Sequence, residues 1–520
     1  MTTTPCDEVD DETFYAPLRD ASDGSYKFLC DGEWRSASAA ADHPAGASSR
    51  RPNVVTNANP SRSNAPAFSF QACTADDVDE AYERAKMAHK RWARTPLHER
   101  AAALHRAAAL MRAHWKPIAD ALVAKSAKDA KAEVARSADL VDYAAEEGLR
   151  ALSEGGLLHS DAWKGTSRCK LCMVTKVPLG VVLCIPPFNY PVNLAVSKIA
   201  PAIIAGNAVV VKPPTQGAVA GLLTAQCFAS ALTGMPPGLI NVVTGRGSEI
   251  GDYLTSHRGA NCISFTGGDT GISVARNARM VPIQMELGGK DACVVFPDAD
   301  LDLAAAAIVK GGFSYSGQRC TAVKARSIST LIADALVEKV IAKVERLTVG
   351  QPEDDADITA VVSAKSADFI EGLVDDALSK GAVAMTGSWR REENLIWPTL
   401  VDRVTDDMRL CWEEPFGPVV PVVRVTDEIE ALRYVNESKY GLQGCVFTRD
   451  VDRAIRFGDA METGTVQING PPARGPDHFP FQGFKDSGIG SQGVRNSIEC
   501  MTKTKSTVIN LSAPSYAMGG

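Results

Sequence analysis

The sequence has few histidines, few aromatic residues and no excess of positive charge. Eight of its 520 residues are histidine, 6% are aromatic, and the formal net charge at pH 7 is −7. Nucleic acids and anionic membrane surfaces are usually bound by strongly basic faces. The charge balance therefore argues against a nucleic-acid or membrane-surface partner. A local cluster of cations could still bind a small anion.

The sequence also lacks an uninterrupted apolar run long enough to span a bilayer. Its most apolar region, residues 177–211, contains five prolines, which would break a continuous membrane helix. The first residues are acidic and do not resemble export or transit peptides. We therefore expect a cytoplasmic protein with no membrane partner, in which this apolar region forms a buried α/β core.

The 13 cysteines are scattered and odd in number, which is typical of reduced thiols rather than of a disulfide framework. Cys169 and Cys172 form a C-x-x-C pair without a second pair or a flanking histidine. Zinc sites need about four ligands at defined spacings. The pair is therefore interpreted as ordinary β-strand residues, and no metal site is predicted.

The chain is long enough for roughly three domain-sized units. Its composition and hydrophobic periodicity change along its length. The first 70 or so residues indicate an arm, with a short strand pair that turns at Asp31-Gly32. The Ala/Leu/Lys/Glu-rich stretch 74–155 has helical periodicity and predicts several long helices.

From Thr175 onward, short apolar runs alternate with turns and helix-like segments. The first series of runs is 180–185, 208–211, 239–243 and 262–265, and the second is 292–296, 325–331, 419–425 and 444–448. This alternation predicts parallel β-α units and an α/β fold of two doubly wound domains that meet after residues 286–290.

Cys320 is the candidate nucleophile. It follows Gly317, Gln318 and Arg319 at a junction between a helix-like segment and an apolar run, where a side chain can reach a cleft. Arg319 would favour the thiolate, which is the reactive form of cysteine. Glu286, beside two glycines, is a candidate base, although such a carboxylate alone is often a turn residue.

Further candidates follow the predicted strands of the first series. Asn189 lies in a proline-bounded turn after the first strand, Lys212 follows the second, and Gly267 and Gly268 follow the fourth. Open α/β sheets bind ligands at the carboxyl ends of their strands. These positions therefore indicate a cofactor platform, although a lone glycine-rich turn is a weak signal.

Together these segments resemble the aldehyde dehydrogenase superfamily from about Tyr26 to Val508. Phe-Asn-Tyr-Pro, Glu-Leu-Gly-Gly-Lys, Gly-Gln-Arg-Cys and Glu-Glu-Pro-Phe-Gly-Pro occur in the order of that family. The resemblance implies a Rossmann-like cofactor domain (1–155 and 179–287), a catalytic domain (288–495) and a small β oligomerisation arm (156–178 and 496–520). It also implies a homo-oligomer, either a dimer or a tetramer.

The resemblance assigns catalytic roles at matching positions. Cys320 would attack an aldehyde to give a thiohemiacetal, and Asn189 with the Cys320 backbone N–H would stabilise the oxyanion. Hydride transfer to the nicotinamide would leave a thioester. Glu286 would then activate the water that releases the acid.

Local matches at 143–150, 212–217, 317–324 and 473–481 resemble one branch of the family, the non-phosphorylating, NADP-dependent glyceraldehyde-3-phosphate dehydrogenases. The implied reaction is the irreversible oxidation of D-glyceraldehyde 3-phosphate to 3-phosphoglycerate without inorganic phosphate. Arginine suits phosphate oxygens because its planar fork donates bidentately. An ordinary ion pair or a solvated surface charge is the alternative for each arginine. The resemblance assigns the substrate phosphate to Arg136, Tyr190, Arg319 and Arg474.

The cofactor prediction depends on Thr215. Members of the family that prefer NAD often carry glutamate there, three residues after the strand-end lysine. Threonine leaves room for a 2′-phosphate and Lys212 supplies positive charge, so NADP is predicted over NAD. The resemblance adds Asp252, Gly267, Gly268, Glu414 and Phe416 as cofactor contacts.

Three alternatives stay open. The substrate could be another small aldehyde or semialdehyde, oxidised with NAD or NADP. A phosphorylating enzyme would use a Cys-His pair, yet no histidine lies near Cys320 in the sequence. A binding protein that retains the fold is disfavoured because Cys320, Glu286 and Asn189 are all present.

Overall fold

The computed structural model describes residues 9–38, 53–62, 65–387 and 389–515, and only the backbone of 325–328. Three parts of the expected N-terminal arm (1–8, 39–52 and 63–64) and the last five residues of the expected oligomerisation arm lie outside these ranges. The described helices are α1 (Asp11–Tyr15), α2 (Ala75–Trp92), α3 (Leu97–Ala113), α4 (Trp115–Asp120), α5 (Ala127–Ser153), α6 (Asn193–Ala205), α7 (Ala218–Ala231), α8 (Gly247–Ser256), α9 (Thr270–Asn277), α10 (Leu301–Phe313), α11 (Ala333–Val344), α12 (Ala364–Ser379), α13 (Arg409–Trp412), α14 (Glu428–Asn436), α15 (Val451–Ala460) and α16 (Val494–Cys500).

The described strands are β1 (Phe28–Cys30), β2 (Glu33–Arg35), β3 (Val54–Asn59), β4 (Ala65–Gln71), β5 (Gly156–His159), β6 (Lys170–Pro178), β7 (Val181–Ile185), β8 (Ala208–Val211), β9 (Ile240–Val242), β10 (Cys262–Thr266), β11 (Ile283–Glu286), β12 (Asp291–Val295), β13 (Val323–Ser329), β14 (Val383–Ala384), β15 (Arg391–Glu392), β16 (Leu395–Ile396), β17 (Thr399–Asp402), β18 (Val419–Pro421), β19 (Val423–Val425), β20 (Tyr440–Gly441), β21 (Gln443–Phe447), β22 (Thr465–Ile468), β23 (Phe484–Lys485), β24 (Gly488–Ile489) and β25 (Thr502–Asn510).

The helices predicted between residues 74 and 155 are confirmed as α2 to α5. Thr74 caps α2, because its hydroxyl accepts from the Asp77 N–H while the Asp77 carboxylate accepts from the Thr74 N–H. Ser126 caps α5 in the same way, because its hydroxyl accepts from the backbone N–H of Asp129, three residues later. Both caps satisfy backbone donors that the first turn of a helix leaves unpaired.

The first sheet has the strand order β2-β1-β9-β8-β7-β10-β11-β24. Its five strands from β9 to β11 are parallel, so the order reverses between β7 and β10 as in doubly wound folds. The predicted turn at Asp31-Gly32 joins β1 to β2, and both residues have positive φ (57° and 81°). Such a turn matches the twist of a two-residue hairpin.

The second sheet has the order β19-β13-β12-β21-β22, and its adjacent strands are all parallel. It therefore repeats the winding of the first sheet, and the prediction of two doubly wound α/β units is confirmed. The apolar run 419–425 divides at Pro421, where β18 of a small three-stranded sheet ends and the chain enters β19.

Separate hydrophobic clusters support the two sheets. The largest cluster packs the helices around the first sheet and includes α16 from the end of the chain. Successive residues of β12 enter two further clusters, with Val294 in one and Cys293 and Val295 in the other. This alternation is that of a strand covered on both faces. β24 returns the chain to the first sheet, and the domain boundaries stay a prediction.

A third sheet, β25-β6-β5, forms a projecting arm. β25 pairs with β6 from Thr502 opposite Pro178 to Asn510 opposite Lys170. Cys172 lies in β6, as expected, whereas Cys169 lies one residue before that strand begins.

The apolar region 177–211 forms β7, α6 and β8, which are almost wholly buried. This confirms the prediction of an α/β core there. Within the described ranges, no helix combines the length and the apolar character needed to cross a bilayer.

Candidate active site

The site lies where the carboxyl edge of the first sheet faces the amino edge of the second. Asn189, Lys212 and Gly267 each follow a strand of the first sheet, whereas Cys320 lies three residues before the start of β13 in the second. The two parallel sheets thus contribute side chains from opposite strand ends. Loops at such edges are free to carry functional residues because they are not part of a strand ladder.

Cys320 is positioned by a left-handed turn at the end of α10. Tyr315, Ser316 and Gly317 all have positive φ (64°, 53° and 68°). At Gly317 a Cβ atom would overlap the carbonyl oxygen of Gly417, so this close approach needs glycine. The turn brings the chain back along α10 and presents Cys320 between the two sheets.

Burial raises the pKa of the Cys320 thiol to about 11, and Lys324 and then Arg474 act in the opposite direction. The sequence had suggested Arg319 for this role. Arg319 instead donates to the carbonyl oxygen of Gly311 at 2.7 Å, near the end of α10. Lys324 is therefore the main cation that favours the thiolate, which corrects that interpretation.

Asn189 is buried and points toward the nucleophile's loop. Its Nδ2 donates to the carbonyl oxygen of Gln318, two residues before Cys320, at 2.9 Å. A side-chain amide has two N–H groups. One of them fixes the orientation of Asn189, and the other has no protein acceptor in the described part of the chain.

Glu286 ends β11 and is 1% exposed. Among the described residues, neither of its carboxylate oxygens has a hydrogen-bond partner. Burial raises the pKa of this carboxyl well above its usual range, while the positive charges of Arg474 and Lys198 lower it. A carboxylate without protein donors, with its basicity increased by burial, is suited to accept a proton from water.

The Tyr190 hydroxyl lies near Cys320 and near two of the candidate phosphate-binding arginines. Burial raises the pKa of its hydroxyl to about 12, Arg319 and Arg136 lower it, and a Cys320 thiolate raises it. The charges of Arg319, Arg136 and Cys320 therefore all influence the pKa of this hydroxyl. Within the described part of the chain, Arg319 Nε is buried without a hydrogen-bond partner, which leaves a donor for an anion.

Arg136 and Arg474 meet at Asp477. Arg136 donates from Nε and Nη2 to the two Asp477 carboxylate oxygens at 2.7 and 2.8 Å, and from Nη2 to the Arg474 carbonyl at 2.9 Å. Gln443 fixes this loop by exchanging two side-chain hydrogen bonds with the backbone of Ala473. The alternative pair of Arg136 with Glu133 does not form, because Glu133 has other partners.

Those partners are Lys125 and the start of α6, which the sequence reasoning missed. Glu133 accepts from the backbone N–H groups of Val192 and Asn193 at 3.0 and 3.1 Å, so a carboxylate of α5 caps α6. It also forms a buried ion pair with Lys125. The Lys125 ammonium lies 4.5 Å from the centre of the Tyr190 ring, which stacks on Tyr315. This cluster fixes the loop that carries Asn189 and Tyr190.

Lys212 is a buried cation at the end of β8. Burial lowers the pKa of its ammonium to about 8, and Nζ donates to the Pro213 carbonyl at 3.1 Å. No carboxylate in the described ranges forms an ion pair with it. Thr215 begins the short helical turn Thr215–Gly217 that follows. An unpaired buried ammonium beside a neutral hydroxyl fits the 2′-phosphate of NADP better than the hydroxyl of NAD.

The remaining predicted cofactor contacts lie around this platform. Gly268 has open space where a side chain would be, and Gly267 has none because a Cβ would lie 2.6 Å from the Phe265 ring. Asp252, on α8, accepts from Asn277 at 2.8 Å. Phe416 packs its ring edge against Phe188, at 5.7 Å between centroids.

Lys198, within α6, also escaped the sequence reasoning. It is fully buried, and burial lowers the pKa of its ammonium to about 7. Its Nζ donates to the Thr266 hydroxyl at 2.7 Å, at the end of the strand next to Glu286. The available signal was a single lysine within the apolar sequence Val-Ser-Lys-Ile-Ala.

The comparisons with known proteins agree with this geometry. The NADP-dependent glyceraldehyde-3-phosphate dehydrogenase of Triticum aestivum is 62% identical over 504 residues, 96% of this chain and 98% of that protein. The Streptococcus equinus protein of the same name is 51% identical over 447 residues, 85% of this chain and 93% of its own length. The NADP complex of the Bacillus halodurans C-125 enzyme of that name superposes with a TM-score of 0.89 at 47% identity, covering 94% of this chain and 100% of that one.

The model of the aldehyde dehydrogenase family matches residues 47–507, which include Asn189, Glu286 and Cys320. The resemblance inferred from the four short motifs is confirmed by this match, by the full-length relatives and by the fold. The chain belongs to the aldehyde dehydrogenase family.

Proposed function

We propose that the protein oxidises D-glyceraldehyde 3-phosphate to 3-phosphoglycerate irreversibly, with NADP and without inorganic phosphate. One observation carries this proposal. The residues around Cys320, a buried amide, a buried carboxylate and a group of arginines, occur in a chain 62% identical, over nearly its whole length, to an enzyme named for this substrate and cofactor. No histidine in the described ranges is hydrogen-bonded to Cys320, which disfavours the Cys-His mechanism of a phosphorylating enzyme.

The first chemical step belongs to Cys320 and Asn189. The thiolate sulfur forms a bond to the aldehyde carbon, and the carbonyl electron pair moves to the oxygen. The free N–H of Asn189 and the backbone N–H of Cys320 would stabilise that oxyanion. Loss of one such donor usually lowers the rate about 10²- to 10³-fold.

Bound NADP supplies the hydride acceptor that oxidises the thiohemiacetal. The residues that would hold it are Lys212 and Thr215 near the adenosine ribose, Glu414 and Phe416 near the nicotinamide ribose, and also Asp252, Gly267 and Gly268. When the carbonyl of the substrate re-forms, its carbon remains bonded to the Cys320 sulfur as a thioester.

Glu286 completes the reaction by accepting a proton from water. The water oxygen bonds to the acyl carbon and the carbon–sulfur bond breaks, which re-forms the Cys320 thiolate; the acid product loses the second water proton to solvent and leaves as a carboxylate. Since the product is a free acid rather than an acyl phosphate, the equilibrium lies far toward oxidation.

The substrate phosphate is assigned to the group around Tyr190. Arg319 contributes its unpaired Nε, and Tyr190 contributes a hydroxyl whose pKa is raised by burial and by Glu133 and lowered by Arg319 and Arg136. Arg474 lies close enough to lower the pKa of both Cys320 and Glu286. Several fixed cations at one end of the cleft favour a phosphorylated aldehyde over a neutral one.

The decisive assay supplies D-glyceraldehyde 3-phosphate and NADP without inorganic phosphate and identifies the product by phosphorus NMR. We expect one 3-phosphoglycerate per NADPH formed. A Cys320→Ser variant should lose turnover and still bind NADP. Dependence on added phosphate would support the phosphorylating alternative. Equal kcat/KM for simple aldehydes would support a different substrate.

We also propose the domain division expected from the sequence, because β11 belongs to the first sheet and β12 to the second. A homo-oligomer formed through the projecting arm is supported by exposed apolar side chains on β5, β6 and β25. Such patches on a surface commonly mark protein interfaces. They are Leu157, Leu158, Met173, Val508 and Ile509.

A further inference from the structure

Lys324 lies four residues after Cys320, in β13, and its side chain is 2% exposed. Its ammonium contacts the carbonyl oxygen of Cys320 at 2.7 Å and that of Gly289 at 3.1 Å, and it forms an ion pair with the Glu414 carboxylate. All three N–H groups of the ammonium are thus used. Lys324 therefore connects three segments of the site.

The backbone around Glu414 is built to admit its carboxylate. The Gly289 N–H donates to Glu414 Oε1 at 3.2 Å. A Cβ on Gly288 would overlap the other carboxylate oxygen, and a Cβ on Gly289 would lie 2.8 Å from the Cys320 carbonyl oxygen. The two glycines that follow the candidate base thus allow Glu414, Cys320 and Lys324 to pack together.

We propose that Lys324 is a positioning residue of the reaction, whose ammonium holds the nucleophile's backbone and the Glu414 carboxylate in a fixed relation. This inference rests on the proposed function, in which Cys320 attacks the aldehyde and Glu414 binds the nicotinamide ribose. Lys324 orients both groups without contacting substrate. The partly buried Glu414 carboxylate, 12% exposed, would lose this orientation without its partner and would keep part of its desolvation cost uncompensated.

The same ammonium affects the chemistry of the thiol. Of the charged groups around Cys320, Lys324 and Arg474 lower the thiol pKa, whereas Asp291 and Glu414 raise it. A charge on Cys320 also raises the pKa of the Tyr190 hydroxyl. Lys324 and Glu414 shift the thiol pKa in opposite directions. Removing one of them should therefore change the thiolate fraction, whereas removing both should largely cancel.

The test measures alkylation of Cys320 by iodoacetamide against pH, without substrate or cofactor. At pH 8 we expect Lys324→Met to react about ten-fold more slowly than wild type, because Lys324 is the leading charge that lowers the thiol pKa and loss of such a nearby opposite charge shifts a pKa by about one unit or more. Glu414→Gln should react faster than wild type. The double variant Lys324→Met/Glu414→Gln should recover toward the wild-type rate, since both opposing charges are gone.

A residue that served packing alone would behave differently. The double variant would then react as slowly as Lys324→Met, and Glu414→Gln would match wild type; either result would overturn the proposal. Lys339→Met is the control. This lysine of α11 forms an ion pair with Asp302 at 2.7 Å, so its loss should leave the alkylation profile unchanged.

Steady-state kinetics provide the second readout. Lys324→Met should lower kcat and also raise the KM for NADP, because the nucleophile and Glu414 lose their common anchor. Unchanged kcat and KM in a folded Lys324→Met protein would contradict the positioning role. If wild type does not oxidise glyceraldehyde 3-phosphate, the proposed function fails, while the alkylation series still tests Lys324 on its own.

Discussion

Replacing Glu286 by Gln should separate the two halves of the reaction. Glutamine has nearly the same shape but cannot accept a proton from water. The attack by Cys320 and the hydride transfer do not use Glu286, so the first turnover should survive. Hydrolysis of the thioester should then become the slow step.

The structure sets the expected size of this effect. Among the described residues no donor engages either Glu286 oxygen, so its full basicity is available to water. Loss of a well-placed general base lowers a rate by about 10²- to 10⁴-fold, which is about 2.7 to 5.4 kcal/mol on the barrier. Because burial raises the pKa of Glu286, the ionised fraction increases with pH. Wild-type hydrolysis should therefore accelerate with rising pH and level off above that pKa, whereas the variant should be slow throughout.

Stopped-flow absorbance and intact-protein mass spectrometry check both halves. Glu286→Gln should release one NADPH per site in a burst, then turn over slowly, with an acyl adduct on Cys320 in the mass spectrum. Glu338→Gln, at an exposed position of α11, is the matched control. A steady rate within ten-fold of wild type, or loss of the burst itself, would refute the reasoning.

Four further outcomes are expected. Thr215→Glu should lower the ratio of kcat/KM for NADP over NAD at least about ten-fold, since a carboxylate would face the 2′-phosphate; an unchanged ratio would contradict the cofactor assignment. NADP affinity, measured by titration calorimetry, should weaken as pH rises through about 8, the lowered pKa of Lys212, and Lys212→Met should abolish that dependence. Arg136→Met should raise the KM for glyceraldehyde 3-phosphate about 10- to 100-fold, as for a charged hydrogen bond, with little effect on unphosphorylated aldehydes. Lys125→Met should cost about 3 kcal/mol or more in urea unfolding, because it leaves the buried Glu133 carboxylate without its cation; a loss below about 1 kcal/mol would show that the pair is unimportant.

Local patterns were enough to predict most of the fold. The paired turn residues Asp31 and Gly32, the capped helices from Thr74 onward and the short apolar runs each carry their information within a few residues. The strand-end positions of Asn189 and Lys212 followed from the same patterns, since the carboxyl edge of a parallel sheet is where such sequences turn.

The contacts that tune the site could not be predicted in this way. Arg136 and Asp477 are far apart in the sequence, and no local pattern links them. The cation next to Cys320 in sequence is Arg319, yet the backbone turn aims it at α10 and leaves Lys324 as the main charge acting on the thiol. Neighbours in sequence are therefore a poor guide to electrostatics wherever the chain reverses direction.

The opposed edges of the two sheets have a practical consequence for engineering. The nucleotide platform around Lys212 and Thr215 belongs to one hydrophobic core, and the nucleophile's loop to another. Libraries confined to the first set of loops should change cofactor preference at little cost to the thiol chemistry, and libraries at 314–319 should do the reverse. Cofactor preference and thiol reactivity can thus be changed nearly independently. The contact between Lys324 and Glu414 is where the two sets of loops interact.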